Sequence, residues 1–217
     1  MSEVVPDRSK IILNKAMWLA VEAHTMQFRK GRDGKSHSGP NYIVHCAEVV
    51  AQLWEWGFDA DRYPDILALA WLHDSVEDEG ITYDQISTDP DLGAVLANRV
   101  CQMTFQSESK NAYLSTFLDS NKTDIESLIV KIADRICNVR NFLITDRDVA
   151  EKQRYARKYF AKGMPIFEAM ESRKVEIIKR VCQEMESQGN DSYAHATTVY
   201  ARIQDSVASM DSMFFPK

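Results

Sequence analysis

The stretch Leu72-His73-Asp74-Ser75-Val76-Glu77-Asp78-Glu79-Gly80 constrains this chain more than any other. It follows an apolar run, Ile66-Leu67-Ala68-Leu69-Ala70-Trp71. Ala and Leu favour helix, and Pro64 suits a first helical turn. Gly80 suits the position just past a helix end, so the pattern predicts a helix from about Pro64 to about Glu79. On such a helix His73 and Glu77 share a face, and so do Asp74 and Asp78. Four acids at a helix C-terminus oppose the helix dipole and repel one another. Either they form a solvated acidic end, or something positive compensates them, for which a divalent metal is the simplest candidate.

The remaining periodic segments read as helices as well. The first is expected from about Lys10 to about Lys30, on the spacing of Ile12, Ala16, Leu19, Ala20 and Ala23. Residues 31–40 hold three glycines and a proline and read as a loop. A second helix follows, with His45 near its start and its end at Gly57. A short helix over 81–86 takes Thr82 as its cap. Others are expected over Leu92–Met103, around Ala112–Leu118, and over Ile125–Leu143. A long charged helix from Arg147 to about Gln188 should break or kink at Gly163-Met164-Pro165. A turn at 189–192 leads to a last helix from Tyr193 to about Met210. With no convincing strand, the expected fold is all-α, a helical bundle with an additional C-terminal helical tail.

Composition narrows the function classes. The 217 residues are 45% hydrophobic, enough for one substantial domain, with its core over about 10–170 and an extension over 171–217. A net charge of −6 argues against a general nucleic-acid binder, although a local basic patch can still grip phosphates. Cys46, Cys101, Cys137 and Cys182 are scattered with no CxxC and read as reduced thiols. No targeting signal or membrane span is recognisable, so a cytoplasmic protein is expected. Met and aromatic residues at helical spacing in the tail suit core or dimer packing better than a cofactor box, which leaves a homo-oligomer open.

The second informative stretch is Lys131-Ile132-Ala133-Asp134-Arg135-Ile136-Cys137-Asn138-Val139-Arg140. Asp134, Asn138 and, less closely, Asn141 share a helix face. Asp134 is flanked by core-type residues, which is costly for a carboxylate unless it is paired with a cation or bound to metal. His45 sits among apolar neighbours, where a hydrogen-bonded core histidine is the commoner reading. Arg29 and Lys30 read equally well as a charged helix cap.

Taken together, His24-x-x-Gln27-x-Arg29-Lys30, Tyr42-Ile43-Val44-His45, Leu72-His73-Asp74-x-x-Glu77-Asp78 and Val130-Lys131-Ile132-Ala133-Asp134-Arg135-x-x-Asn138-x-Arg140 resemble the hydrolase domain of the RelA/SpoT family of alarmone enzymes, within the HD-domain metal phosphohydrolases. These motifs occur in the family's order and cover roughly residues 15–170. The resemblance implies that His45, His73, Asp74 and Asp134 ligate one metal per chain, usually manganese, with other divalent metals an option. It implies that Glu77 and Asp78 activate water and handle protons. It implies that Arg29 and Lys30 hold the guanine end of a guanosine nucleotide, with Asn138 and Arg140 lining the pocket. His24 is assigned to packing. The implied reaction is hydrolysis of the 3′-pyrophosphate of ppGpp or pppGpp to GDP or GTP and pyrophosphate. Phosphatase action on another nucleotide such as NADPH is the alternative enzyme reading, and a non-catalytic nucleotide-binding or interaction module is the third. Three departures stand out: a longer loop before Tyr42, Cys46 where proline is common, and Asn141 where threonine is common. The tail beyond about residue 170 has no counterpart in the family pattern. With the chain ending at Lys217, no synthetase domain is expected to follow.

Overall fold

The computed structural model describes residues 7–29, 39–76, 81–104, 109–119, 123–144, 148–186 and 192–215. Ten helices account for most of them: α1 Arg8–Ala23, α2 Ile43–Trp56, α3 Pro64–Leu72, α4 Tyr83–Ser87, α5 Gly93–Met103, α6 Lys110–Leu118, α7 Ile125–Leu143, α8 Val149–Ser172, α9 Lys174–Glu186 and α10 Ser192–Phe214. Among the described residues the extended pairing is limited to one isolated bridge, Phe28 with Asn41. The all-α expectation therefore holds.

Two helices make the centre. In α3, Ile66, Leu67, Ala68, Leu69, Ala70 and Leu72 are all buried, so it is covered on every side. A helix apolar all round belongs inside a core. In α7, residues 126–134 are all buried, and Ile136, Cys137 and Val139 continue the apolar stripe. The helices α1, α2, α5 and α7 pack on α3, while α2, α5, α8, α9 and α10 pack on α7. The tail joins the same core: the Trp56 indole donates to Ser206 Oγ at 2.9 Å, and the Tyr63 hydroxyl donates to the Val181 carbonyl at 3.2 Å.

Local signals hold where the partners are local. Asp124 caps α7 by accepting from Ser127 N–H at 2.8 Å. Thr82 and Gln85 form a reciprocal capping box on α4. Gly57 ends α2 at φ 108°, in the left-handed region that favours glycine.

Three boundaries differ most from the sequence reading. The first helix stops at Ala23, not near Lys30. The Asn41 amide donates to the carbonyls of His24 and Thr25 at 2.9 and 3.1 Å, taking acceptors that a longer helix would use. The chain then runs beside residues 39–42, with Arg29 N–H on the Pro40 carbonyl at 3.0 Å and Tyr42 N–H on the Gln27 carbonyl at 2.9 Å. The apolar run stops being helix at Leu72, not near Glu79. Residues 73–76 are turns, and Ser75 N–H bonds the Leu72 carbonyl at 3.0 Å in a tightened, three-residue step.

The tail breaks in a different place as well. Pro165 lies inside α8 without ending it, and the break falls at Arg173. A proline inside a helix costs ~3 kcal/mol. Phe160 before it and Ile166, Phe167 and Met170 after it are all buried. Each is worth roughly 1.5–3 kcal/mol, so together they outweigh the proline. Gly163 matters for closeness of approach. An added Cβ would sit 2.8 Å from Arg135 Cγ, so its absence lets α8 close on α7.

Candidate metal centre

The core geometry brings three expected residues to one point. One ligand atom from each of His45, His73 and Asp74 lies within 4.8 Å of the other two. His45 comes from the first turn of α2, where the Asn41 side chain accepts from Ile43 N–H at 3.0 Å. His73 and Asp74 come from the end of the buried α3, whose dipole places negative charge there. Asp134, on α7, lies against both imidazoles: its Oδ1 is 3.1 Å from His45 Nε2 and 3.9 Å from His73 Nε2.

The His73 ring is held in one tautomer. Its Nδ1–H donates to the Ala70 carbonyl at 2.8 Å. That bond also takes the acceptor on which another helical turn would be built, which explains why α3 stops here. The buried Nε2 has no hydrogen-bond partner and faces Asp74 Oδ2 at 3.1 Å. A lone pair aimed at carboxylates is stable only with a cation between them, either a proton or a metal. Burial disfavours the charged imidazole, yet Asp74 and Asp134 override it and lift the His73 pKa to about 8. Burial likewise disfavours the Asp74 carboxylate, but His73 beside it and Lys131 hold its pKa well below the usual range. The donor set of imidazole nitrogen and carboxylate oxygen fits a divalent transition ion.

This gives a pH prediction. In the metal-free protein, protonated His73 contributes stability below its ordinary pKa of 6.5, and that contribution is lost as pH rises through about 8. A metal must displace the same proton. Calorimetric titration with Mn²⁺ should therefore show affinity rising from about pH 6 to about pH 8, then levelling, with about one proton released on the acid side. Affinity that is flat across that window would remove His73 Nε2 from the ligand set.

A ring of polar groups surrounds the cluster. The Tyr42 hydroxyl donates to Asp74 Oδ2 at 2.6 Å, and burial together with Asp74 pushes the phenol pKa well above its ordinary value. Asn138 bridges, donating to Asp134 Oδ1 and accepting from Arg29 Nη2 at 2.6 Å. Arg29 Nη1 lies 3.9 Å from Glu48 Oε2, and the same oxygen is 3.7 Å from His45 Nδ1. Asn141 donates to Glu48 Oε2 at 2.7 Å. Lys131 Nζ lies 3.6 Å from Asp134 Oδ2, with both side chains buried. His24 is buried with its ring 4.9 Å from the Tyr42 ring, in line with a packing role.

Arg140 points away from the cluster, toward α2. Its guanidinium donates to Gln52 Oε1 and lies 3.9 Å from Glu55 Oε2. These groups line a groove of about 300 Å³ that also includes Glu48 and Asn141, so it adjoins the ring around the cluster. Glu77, Asp78 and Lys30 lie outside the described residues. The sequence reading gives no role to Tyr42, Glu48 or Lys131. Tyr42 stands in the Tyr-Ile-Val-His motif, and Glu48 and Lys131 each sit three residues from an expected ligand, one helical turn away.

No family model matches the chain. It is 30% identical over 149 residues to a GTP pyrophosphokinase, rsh, of Brucella melitensis, a match covering 66% of this chain and 18% of that protein. It is 27% identical over 146 residues to the guanosine-3′,5′-bis(diphosphate) 3′-pyrophosphohydrolase of Aquifex aeolicus, covering 64% of this chain and 19% of that one. The chain thus spans about a fifth of the length of the curated relatives it matches. A solved structure of a metazoan ortholog of SpoT, described as hydrolysing ppGpp, aligns over 92% of this chain and 97% of its own, with a TM-score of 0.54 at 16% identity. In sequence the chain resembles a RelA/SpoT-type hydrolase domain, and it shares the all-α fold of the metazoan structure.

Proposed function

We propose that this chain is a metal-dependent hydrolase that removes the 3′-pyrophosphate of ppGpp or pppGpp, giving GDP or GTP and pyrophosphate. The observation that carries the reading is the buried convergence of His45, His73 and Asp74 within 4.8 Å, with Asp134 beside both imidazoles. The Aquifex relative, named for this reaction, supports it. These four residues hold one Mn²⁺, and their mixed nitrogen and oxygen donors suit it. When bound, the ion lowers the pKa of a water and neutralises phosphoryl charge.

The chain's own residues do the rest. Glu77 takes a proton from the attacking water, and Asp78 supplies one to the leaving oxygen. Tyr42 keeps Asp74 oriented through its 2.6 Å hydrogen bond. Arg29 and Lys30 hold the guanine end. Asn138, fixed between Asp134 and Arg29, ties the base-binding side to the metal side. Arg140, in the adjoining groove, supplies charge for phosphate. Residues 1–217 act as one domain in the cytoplasm. Among the described residues no helix is long and apolar enough to cross a membrane.

The test is turnover of ppGpp, its adenosine analogue and NADPH by purified protein with Mn²⁺, with products separated. GDP and pyrophosphate from ppGpp are expected. Arg140→Ala should mainly raise KM, and Arg29→Ala should weaken the preference for guanine over adenine. Preference for NADPH would overturn the alarmone reading while leaving the metal chemistry intact. No turnover of any of the three would favour a binding module.

A further inference from the structure

A second pocket lies at the far end of α2. It has a volume of about 460 Å³ and opens between the end of α2, the segment leading to α3 and the first turns of α10. Trp54, Gly57, Asp59, Arg62, His195 and Arg202 line it. His45 and Gly57 are twelve residues apart in α2 and its cap, which is about 18 Å of helix, so this pocket is separate from the metal centre.

Its lining is not explained by the fold alone. His195 Nε2 is buried and has no hydrogen-bond partner. Among the described residues Arg202 has no carboxylate within ion-pairing distance. Arg62 does pair, donating from Nε to Asp59 Oδ2 at 2.6 Å. The lining itself thus sets two guanidiniums against one carboxylate, with the Asp61 carboxylate also acting on Arg62. The His195 pKa registers it: burial lowers it first, Arg62 lowers it further, and Arg202 adds to this against the opposing pull of Asp59. Gly57 keeps the floor open. A Cβ there would sit 3.3 Å from Arg202 Nη1 and 3.7 Å from His195 Cε1. At the rim stands Trp54, an indole 59% exposed.

Cations near the C-terminus of α2 would favour its dipole, and that accounts for the arginines. It does not account for an imidazole nitrogen buried without a partner, nor for an exposed indole beside it. A phosphoryl group between Arg202, Arg62 and His195 would satisfy the first, since arginine presents a fork of donors matched to phosphate oxygens. A planar base would use the second, because aromatic faces stack bases with little regard to sequence. We infer that this pocket is a second, non-catalytic site for a nucleoside phosphate, with the phosphoryl group held by Arg202, Arg62 and His195 and the base on Trp54. The volume is within the range of small-ligand sites.

The test uses the full chain in EDTA, with GDP, ADP and inorganic pyrophosphate as probes. The readouts are the ring NMR signal of His195, assigned with His195→Gln, and tryptophan fluorescence. Either nucleotide should shift the His195 signal saturably, and Arg202→Ala should weaken that binding about tenfold or more. Arg202→Lys should retain part of the affinity, which separates loss of charge from loss of fold. Trp54→Leu should weaken both nucleotides and leave pyrophosphate unchanged. A His195 signal unmoved by every probe would overturn the site, as would undiminished binding in Arg202→Ala. Pyrophosphate binding as tightly as the nucleotides, with no effect of Trp54→Leu, would overturn the nucleoside assignment in favour of a plain anion site. Binding at the metal centre would leave the His195 signal unmoved, so the two sites report separately.

Discussion

His73→Ala and Asp134→Ala are each expected to reduce bound metal from about one ion per chain to background, and turnover with it. His73 offers a fixed Nε2 lone pair because its Nδ1–H is committed to the Ala70 carbonyl. Among the described residues His45 is the other imidazole of the group that could hold a metal, and it comes from a different helix. Asp134 has a second duty, since it faces buried Lys131. Burial disfavours the Lys131 ammonium, but Asp134, joined by Tyr113 and Asp74, offsets this and keeps its pKa raised. Truncation to alanine would strand that charge, at a cost of ~3–5 kcal/mol typical of a broken buried pair. Asp134→Asn is therefore the companion variant. It keeps the side chain's shape and one oxygen for Lys131 while removing the anionic ligand, so it should fold and still bind metal weakly. Metal analysis of the three variants, together with thermal unfolding, decides the matter. Full occupancy in His73→Ala and Asp134→Asn would sink the ligand set.

Glu77→Gln should behave differently, retaining the metal but losing turnover on the order of 10²-fold or more. The four groups around the cluster already supply donors for a cation. A further carboxylate three residues past Asp74 is then better employed on water. Glutamine matches glutamate in shape and can still hydrogen-bond, but it cannot take a proton at neutral pH. Single-turnover rates with metal content measured on the same sample separate the two roles. A rate like that of the parent protein would remove Glu77 from the mechanism, and loss of the ion would make it a ligand.

Features that rest on neighbours within a turn or two are legible in the chain itself. The starts of α4 and α7 follow from Thr82 and the capping Asp124, and α5 itself from the spacing of Leu96, Ala97 and Val100. The stop of α2 follows from Gly57. The motif order also singles out His45, His73, Asp74 and Asp134, which the fold brings together from three helices. Other features depend on residues far apart in the chain and emerge only from packing. Asn41 ends α1 from 17 residues away, by taking the His24 carbonyl. Burial on α7 carries α8 through Pro165, because packing free energy exceeds the local penalty of the proline. The α3 boundary is subtler, since residues 73–79 hold no glycine or proline to break a helix, while the His73 imidazole takes the acceptor that another turn requires. Glu48, Tyr42 and Lys131 read as ordinary polar residues until the fold sets them beside His45, Asp74 and Asp134, because a carboxylate, a phenol or an amine acquires a role only from the charge placed next to it.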